Sequence, residues 1–302
     1  MKKINKGMLQ DRAVVNIWDG AVPAFEKEVG NYTIIERSKN PFLPDRAIIG
    51  ITNPCLTVFK AEHPNGTTII VAPGGSYSKI VADKESAELA KWLNPLGITV
   101  FVLQYRLPVE WQTNALLADG QRAIRYIRKY AGDWGISPDR IGFLGCSAAG
   151  HLGAYLGSCF DKKTYESIDS LDKMSARPDF LVLLYPVISM DERYTHMESR
   201  NNLLGEHPKE NMIQKYSPNL HVLPNSSPTF IVAADNDAKV PSINSALYYA
   251  SLQQAGVKAE LHIFQEGGHG FGIERMKGLP GSEWTELCHQ WMIRNHILDD
   301  SL

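Results

Sequence analysis

The sequence predicts an α/β fold in which a mostly parallel central sheet carries helices on both faces. From about residue 56 onward, strand-like and helix-like segments alternate along the chain, which is typical of parallel strands joined by crossover helices. The length of 302 residues and the hydrophobic content of 44% allow one large buried core. We therefore expect a single domain over residues 1–302.

The order of elements follows from short apolar runs and the polar segments between them. Strands are predicted at residues 56–61, 68–72, 98–103, 141–144, 180–185, 229–233 and 260–264. Helices are predicted near residues 84–93, 115–130, 242–254 and 282–296. An Asn-Gly pair at residues 65–66 predicts an antiparallel hairpin between the first two strands. Residues 190–227 are too many for an ordinary loop, so we expect a small helical cap insertion over the functional site.

The balance of charge gives no reason to expect a polyanionic partner such as nucleic acid. The chain has 31 Lys and Arg against 33 Asp and Glu, which gives a net charge of −2. One basic run recurs at helical spacing and is interpreted as a solvated helix face, formed by Arg122, Arg125, Arg128 and Lys129.

The cysteines and the N-terminal segment bear on the compartment. The four cysteines form no CxxC pair, which argues against a zinc knuckle and a disulfide-stapled scaffold. We expect buried thiols at Cys55, Cys146, Cys159 and Cys288. No apolar signal-peptide core follows the basic start of the chain, and no apolar run of about 18 residues could span a membrane. A cytoplasmic location without a membrane partner is therefore expected.

A serine at the end of a predicted strand is the candidate nucleophile. The strand at residues 141–144 runs into Gly-Cys-Ser-Ala-Ala-Gly at residues 145–150, and a helix-compatible segment follows. A nucleophile elbow needs this context, because a sharp strand-to-helix turn lifts the serine hydroxyl above the sheet at a helix N-terminus. The usual G-x-S-x-G pattern has glycine where Ala149 stands. The motif alone leaves Ser147 undecided between a nucleophile and an ordinary small-residue turn.

A serine nucleophile requires a base, which a loop after a later strand would present. His269 lies in a glycine-rich segment, residues 265–272, directly after the last predicted strand. The glycines allow the imidazole to approach Ser147, although a merely flexible turn is the alternative. His151, one turn into the helix after the serine, is expected to pack near the sheet. The other histidines of the insertion lack the spacing of a metal site, so no metal is expected: His196, His207 and His221.

The residue that orients the histidine is expected between the serine and the histidine in chain order. Asp235 and Asp237 both follow the strand at residues 229–233. Asp237 stands four residues before Pro241, a spacing typical of the acid in this kind of site, and we prefer it. Asp235 is expected to hydrogen-bond the turn.

A glycine-containing loop after an early strand is the candidate oxyanion hole. Ala-Pro-Gly-Gly-Ser-Tyr at residues 72–77 corresponds to the HGGG-type loop whose backbone amides receive negative charge in acyl transfer. The candidate donors are the amides of Gly75, Ser76 and Ala148. A phosphate-binding loop is the alternative, but neither a Gly-Lys-Ser/Thr ending nor G-x-G-x-x-G is present.

Together these motifs resemble bacterial α/β-hydrolase fold esterases of the acetyl-xylan esterase or xylanase-associated group, in the hormone-sensitive-lipase-like branch. The resemblance extends over about residues 56–297 and is carried by residues 73–77, 83–85, 92–93, 105–108, 119–123, 134–136, 138–142, 145–152 and 267–272. It implies a serine esterase that cleaves short-chain carboxylic esters without a cofactor, and acetylated sugars or xylo-oligosaccharides are implied substrates. The chain departs from the family at Ser76 and Ala149, where glycine is usual, and at Cys146, where phenylalanine is usual. Arg106 is interpreted as a brace between loops, with substrate contact as the alternative.

Two other classes of protein share this fold. A serine peptidase of the prolyl-oligopeptidase type would use the same triad, but such enzymes generally carry a large additional domain that 302 residues do not accommodate. A non-catalytic ligand-binding protein is the second alternative, because fold does not determine function. Such proteins typically lose a triad member, whereas Ser147, His269 and Asp237 are all present. A small-molecule ester is the expected partner, and the oligomeric state is left open.

Overall fold

The structure is a computed structural model that describes residues 12–20, 22–23, 30–40, 44–110 and 113–299. Its strands in chain order are β1 (Val14–Asn16), β2 (Thr33–Glu36), β3 (Arg46–Ile49), β4 (Cys55–Phe59), β5 (Thr68–Ala72), β6 (Ile80–Val81), β7 (Thr99–Gln104), β8 (Ile141–Cys146), β9 (Phe180–Leu184), β10 (Thr229–Ala234) and β11 (Ala259–Phe264). Its α-helices are α1 (Glu88–Leu93), α2 (Asn114–Lys129), α3 (Ala131–Trp134), α4 (Ala148–Ser158), α5 (Met197–Leu204), α6 (Glu210–Lys215), α7 (Ile243–Gln254) and α8 (Trp284–Arg294). A π-helical turn, Asp83–Ala87, leads into α1.

The large sheet contains eight strands in the order β1-β4-β7-β5-β8-β9-β10-β11. The pairs β1–β4 and β4–β7 are antiparallel, and every pair from β7 to β11 in that order is parallel. Parallel strands end at the same edge of a sheet, so the loops after β5, β8, β10 and β11 meet there. The α/β class and the mostly parallel sheet are confirmed.

Helices cover both faces of this sheet, as predicted. On one face α2 and α4 pack against the sheet through residues such as Ile124 and Leu152, and on the other α1 and α8 pack through Leu89 and Trp284. Every residue of β5, β8, β9 and β10 is buried. Strands that are buried on both faces are typical of the centre of a parallel sheet, which explains their continuous apolar sequences.

The expected antiparallel hairpin between residues 56–61 and 68–72 is wrong. β4 and β5 do not pair with each other, because β7 lies between them and is antiparallel to β4 and parallel to β5. Gly66 does adopt a positive φ of 89°, so the Asn-Gly pair makes a turn. Because β5 is buried throughout, it needs a strand on each side, and β7 and β8 fill those positions.

The basic run on α2 is not a solvated face. Arg122 is fully buried, where it donates to the carbonyl of Ile17 and pairs with Asp169 at 2.5 Å and Asp172 at 3.2 Å. Arg125 and Arg128 are half-buried and donate to carbonyls of the 174–177 segment. Only the exposed Lys129 fits the prediction among these four. The acidic partners lie far along the chain, so helical spacing could not reveal them.

Arg106 braces the loop that follows β7. Its guanidinium forms three hydrogen bonds with buried Asp119, of 3.2, 2.9 and 2.7 Å, and others with the carbonyls of Pro23 and Ala115. Burial raises the pKa of Asp119, against the opposing charge and hydrogen bonds of Arg106. Both side chains are fully enclosed, so the structural interpretation of Arg106 is confirmed and substrate contact is not.

Some elements lie outside the sequence prediction. The strands before β4 were not predicted, and β2, β3 and β6 form a separate small antiparallel sheet beside the main one. Residues 190–227 form α5, α6 and a short 3₁₀ turn, Pro218–Leu220. Within the described ranges, the cysteines are free thiols, buried except for half-buried Cys55. None of the described helices has the length and apolarity that a membrane span needs, and the cytoplasmic location stays a prediction, as does the single domain.

The Arg106–Asp119 pair gives a test of the fold. In Arg106→Met, Asp119 must stay charged without a counter-ion or take up a proton, so the free energy of unfolding should fall by about 3–5 kcal/mol in urea titrations followed by circular dichroism. The control is Arg193→Met, whose partner Asp191 forms an exposed pair at 2.6 Å; its urea midpoint should match the parent protein. Equal midpoints for all three proteins would contradict the bracing role of Arg106.

Candidate active site

Ser147 occupies the sharp turn between β8 and α4. Its backbone has φ 55° and ψ −119°, and left-handed φ values are strained for residues other than glycine. A side chain at Gly145 would lie 2.3 Å from the carbonyl oxygen of Ala149, and one at Gly150 would lie 2.6 Å from Pro186. Neighbouring atoms therefore leave no room for a side chain at positions 145 and 150. At position 149 there is room for the methyl group of alanine, which is fully buried.

His269 comes from the loop after β11 and contacts the serine. Its Nε2 lies 2.9 Å from Ser147 Oγ. Gly268 and Gly270 on either side have φ values of 65° and 69°, which glycine adopts at little cost. The amide of Gly268 donates to Asn236 Oδ1 at 2.8 Å, which ties this loop to the one after β10.

Asp237 lies behind the histidine, with Oδ2 2.7 Å from His269 Nδ1. Its other oxygen accepts hydrogen bonds from the amides of Lys239 and Val240, at 2.8 and 3.0 Å. Burial acts to raise the pKa of Asp237, but the bond and charge of His269 and the two amides outweigh it and leave the pKa below its usual value. An ionised carboxylate only accepts, so Nδ1 carries the imidazole proton and Nε2 accepts from the serine hydroxyl.

Asp235 occupies a different position. It is exposed, and within the described part of the chain its carboxylate accepts one long side-chain hydrogen bond, of 3.3 Å, from Ser242 Oγ. The structure thus brings Ser147, His269 and Asp237 into one hydrogen-bonded chain and leaves Asp235 at the turn.

The loop after β5 lies directly beside the serine. A side chain at Gly74 would come within 2.9 Å of Ser147 Cβ. Within the described part of the chain, the amides of Gly75 and Ser76 donate to no protein acceptor, and Ala148 is the first residue of α4, so its amide has no partner in the helix. Ser76 has φ 56°, a conformation that glycine adopts more readily, which accounts for the glycine usual at this position.

Glu85 is a site residue that the sequence did not reveal. Its buried carboxyl group accepts from the amide of Gly74 at 2.6 Å and from the hydroxyl of Tyr185 at 2.9 Å. The ring of Tyr185 meets His269 edge-on, with centroids 5.1 Å apart. Burial raises the pKa of Glu85, against the opposing bonds from Gly74 and Tyr185. Glu85 therefore links the loop at residues 72–77 to the ring that packs against the histidine.

His151 supports the same loop from below, which confirms its expected packing role. The fully buried imidazole lies 2.8 Å from the hydroxyl of Tyr77 through Nδ1 and 2.7 Å from the carbonyl oxygen of Tyr216 through Nε2. A carbonyl only accepts, so Nε2 carries the proton and Nδ1 accepts from Tyr77. Burial lowers the pKa of His151 to about 4, despite the opposing bond to Tyr216.

Ser147 and His269 line a cavity of about 240 Å³. Gly75 and Ser76 form part of its wall, and the 190–227 segment contributes His196 and Glu198. The ring of His196 stacks on His269 with centroids 6.4 Å apart. In the described ranges, no group of three or more His, Cys, Asp or Glu side chains is arranged to hold a metal ion. The arrangement can activate a hydroxyl and stabilise an oxyanion.

Known proteins share this architecture. The chain is 35% identical over 225 residues to an acetylxylan esterase of Xylanibacter ruminicola, which covers 72% of this chain and 44% of that protein. It is 30% identical over 223 residues to endo-1,4-beta-xylanase B of Butyrivibrio fibrisolvens, with 72% and 35% covered. The chain thus spans less than half the length of each relative. An acetyl ester-xyloside bifunctional hydrolase from Caldicellulosiruptor lactoaceticus superposes with a TM-score of 0.81 at 34% identity, covering 97% of this chain and all of that one.

The fold and its structural neighbours, an acetyl ester-xyloside bifunctional hydrolase among them, define the class as the α/β-hydrolase fold. Residues 57–252 match the model of the BD-FAE family, and the chain belongs to that family. The resemblance inferred from the sequence is thereby confirmed.

The buried imidazole of His151 predicts a measurable dependence of stability on pH. The unfolded state takes up a proton near the usual pKa of about 6.5, whereas the folded state resists protonation down to about 4. Stability should therefore fall as the pH drops through this interval. At about 1.4 kcal/mol per pKa unit, the loss between pH 7 and pH 5 is about 2 kcal/mol. Urea titrations at both pH values should show a smaller loss in His151→Gln, and an equal loss in both proteins would refute the assignment.

Proposed function

We propose that the protein hydrolyses short-chain carboxylic esters through an acyl-enzyme on Ser147. The observation that carries the proposal is the hydrogen-bonded chain from Ser147 through His269 to ionised Asp237, beside backbone amides that have no acceptor among the described residues. This combination supplies an activated nucleophile and donors for the charge that develops on the carbonyl oxygen.

In this mechanism His269 Nε2 takes the proton of the Ser147 hydroxyl as the oxygen attacks the ester carbonyl. Asp237 stabilises the imidazolium and keeps its Nδ1 proton directed away from the serine. The bond from the carbonyl carbon to the alcohol oxygen then breaks, and the alcohol leaves with the proton from Nε2. Water adds to the acyl-enzyme with His269 again as base, which releases the acid and restores the serine.

The amides of Gly75, Ser76 and Ala148 are the proposed oxyanion donors. Loss of a single such donor costs roughly 10²- to 10³-fold in rate in enzymes of this type. Glu85 acts as a positioning residue in this proposal, because it holds the amide of Gly74 at the base of the loop. The donors are thus fixed before the substrate arrives.

Acetylated sugars and xylo-oligosaccharides are the proposed substrates. The Xylanibacter relative is an acetylxylan esterase and the Caldicellulosiruptor protein is an acetyl ester-xyloside bifunctional hydrolase, which supports an acetyl ester on a xylose-based alcohol. We also propose one domain over the whole chain, with residues 190–227 as a small cap, which His196 and Glu198 support because they line the cavity.

Replacement of the serine tests the chemistry directly. In Ser147→Ala, kcat/KM for p-nitrophenyl acetate should fall by about 10⁴-fold or more, since the covalent intermediate has no site of attachment. Unchanged urea stability would show that the loss is chemical. Turnover that survives in Ser147→Ala would exclude the mechanism, and cleavage of peptide p-nitroanilides without esterase activity would favour the peptidase alternative.

Matched substitutions of Asp237 and Asp235 test which aspartate orients His269. Asp237→Asn should lower kcat by roughly 10⁴-fold, because an amide at this position no longer fixes the proton on Nδ1. Asp235→Asn removes the same charge two residues away and should retain kcat within about twofold. The reverse pattern would transfer the role to Asp235.

A further inference from the structure

The cavity at Ser147 has a charge opposite to that of the whole protein. Five cationic side chains line it, from Arg37, Lys79, Lys84, Lys239 and Arg275, against three carboxyl groups, from Asp45, Glu85 and Glu198. The whole chain has a net charge of −2. The excess of cations is therefore local to the proposed site, and a neutral acetylated sugar gives no reason for it.

The carboxyl groups of the cavity do not neutralise these cations. Asp45 lies between Arg37 and Lys84, at 2.5 and 2.9 Å, so one carboxylate serves two cations. Glu85 is engaged by the amide of Gly74 and the hydroxyl of Tyr185. Glu198 is exposed on α5 and forms no ion pair within 4.0 Å in the part of the chain that is described.

Three of the cations are without a carboxylate partner within 4.0 Å among the described residues. Lys79 Nζ donates to the hydroxyl of Ser78, at 3.3 Å. Arg275 donates a long bond of 3.5 Å to the carbonyl of Gly270. Lys239 has no carboxylate partner in the same set, although its amide binds Asp237. These three side chains come from the segments that follow β5, β10 and β11, and all three line the cavity.

Lys79 lies beside Gly75, one of the proposed oxyanion donors. A side chain at Gly75 would come within 3.0 Å of Lys79 Cγ and 2.2 Å of its carbonyl oxygen. The backbone of Lys79 also holds this loop, since its amide donates to the carbonyl of Gly75 at 3.2 Å. The stem of Lys79 thus lies beside Gly75, while its ammonium group has no carboxylate within 4.0 Å among the described residues.

We propose that the cavity binds a substrate that carries a carboxylate beside the scissile ester, with Lys79, Lys239 and Arg275 as its counter-ions. This inference rests on the proposed ester hydrolysis and adds the charge of its substrate. Two sources supply this chemistry: a carboxylate at the end of the acyl chain, or a uronic acid in the sugar alcohol. Cations that line a cavity attract such a group, and the attraction falls with ionic strength.

Matched substrates separate the charge from the size of the substituent. For the acyl source, p-nitrophenyl hemisuccinate is compared with the neutral p-nitrophenyl levulinate, corrected for uncatalysed hydrolysis. For the sugar source, an acetylated xylo-oligosaccharide with a glucuronic acid branch is compared with the same compound as its carboxamide. In one of the two pairs, kcat/KM should favour the anionic substrate by roughly five- to tenfold at low ionic strength, mainly through KM. The preference should shrink in about 0.5 M NaCl.

Variants that remove one positive charge each test whether the preference for the anionic substrate comes from the cavity. In Lys79→Gln, Lys239→Gln and Arg275→Gln, the ratio of anionic to neutral kcat/KM should fall toward one. Lys91→Gln is the control, because Lys91 is exposed on α1 outside the cavity and its loss changes the net charge equally. The ratio in the control should equal that of the parent protein.

Different results would contradict the anionic substrate and the ester hydrolysis itself. Equal rates for both members of both pairs, or a preference that survives all three cavity variants, would overturn the anionic substrate while Ser147-dependent hydrolysis of neutral esters persists. Turnover in Ser147→Ala would overturn the ester mechanism itself.

Discussion

The site depends on the parallel alignment of the central strands. Because β5, β8, β10 and β11 run in the same direction, their carboxyl ends lie along one edge of the sheet. Ala72 at the end of β5 pairs with Gly145 of β8, and Ala234 at the end of β10 pairs with Phe264 at the end of β11. Within each pair of strands, the loops that follow therefore begin at nearly the same height along the sheet. The loop at residues 72–77, Ser147, Asp237 and His269 are therefore brought together by the backbone hydrogen bonds of the sheet as well as by contacts between their side chains.

Buried polar groups then fix the loops in strained conformations. Ser76, Tyr77, Ser147 and Tyr185 all have positive φ values, which side-chain-bearing residues adopt only where surrounding contacts enforce them. Tyr77 is held by His151 and Tyr185 by Glu85, so the groups that pack beneath the site offset the cost of its geometry. This arrangement explains why the imidazole of His151 and the carboxyl group of Glu85 lie buried near Ser147 and His269.

The parts of this structure that the sequence predicts are those whose signals are local. Continuous apolar runs revealed the central strands, and the glycines around Ser147 and His269 marked turns that each follow a strand. The parts that failed depend on distant partners. β7 separates β4 from β5 although the local Asn-Gly turn favours a hairpin. Arg122 is buried and forms ion pairs with two aspartates about 50 residues further along the sequence. Glu85 accepts a hydrogen bond from Tyr185, which lies 100 residues away in the sequence.

The most direct test of the account is covalent labelling of the serine. A fluorophosphonate probe reacts with an activated serine hydroxyl and not with an ordinary one, because the reaction requires the same base as ester hydrolysis. Peptide mapping by mass spectrometry should find one adduct, on Ser147, and the labelling rate should fall sharply in Asp237→Asn but not in Asp235→Asn. An unlabelled Ser147 in a protein that still hydrolyses p-nitrophenyl acetate, or an adduct on another residue that abolishes turnover, would contradict the account.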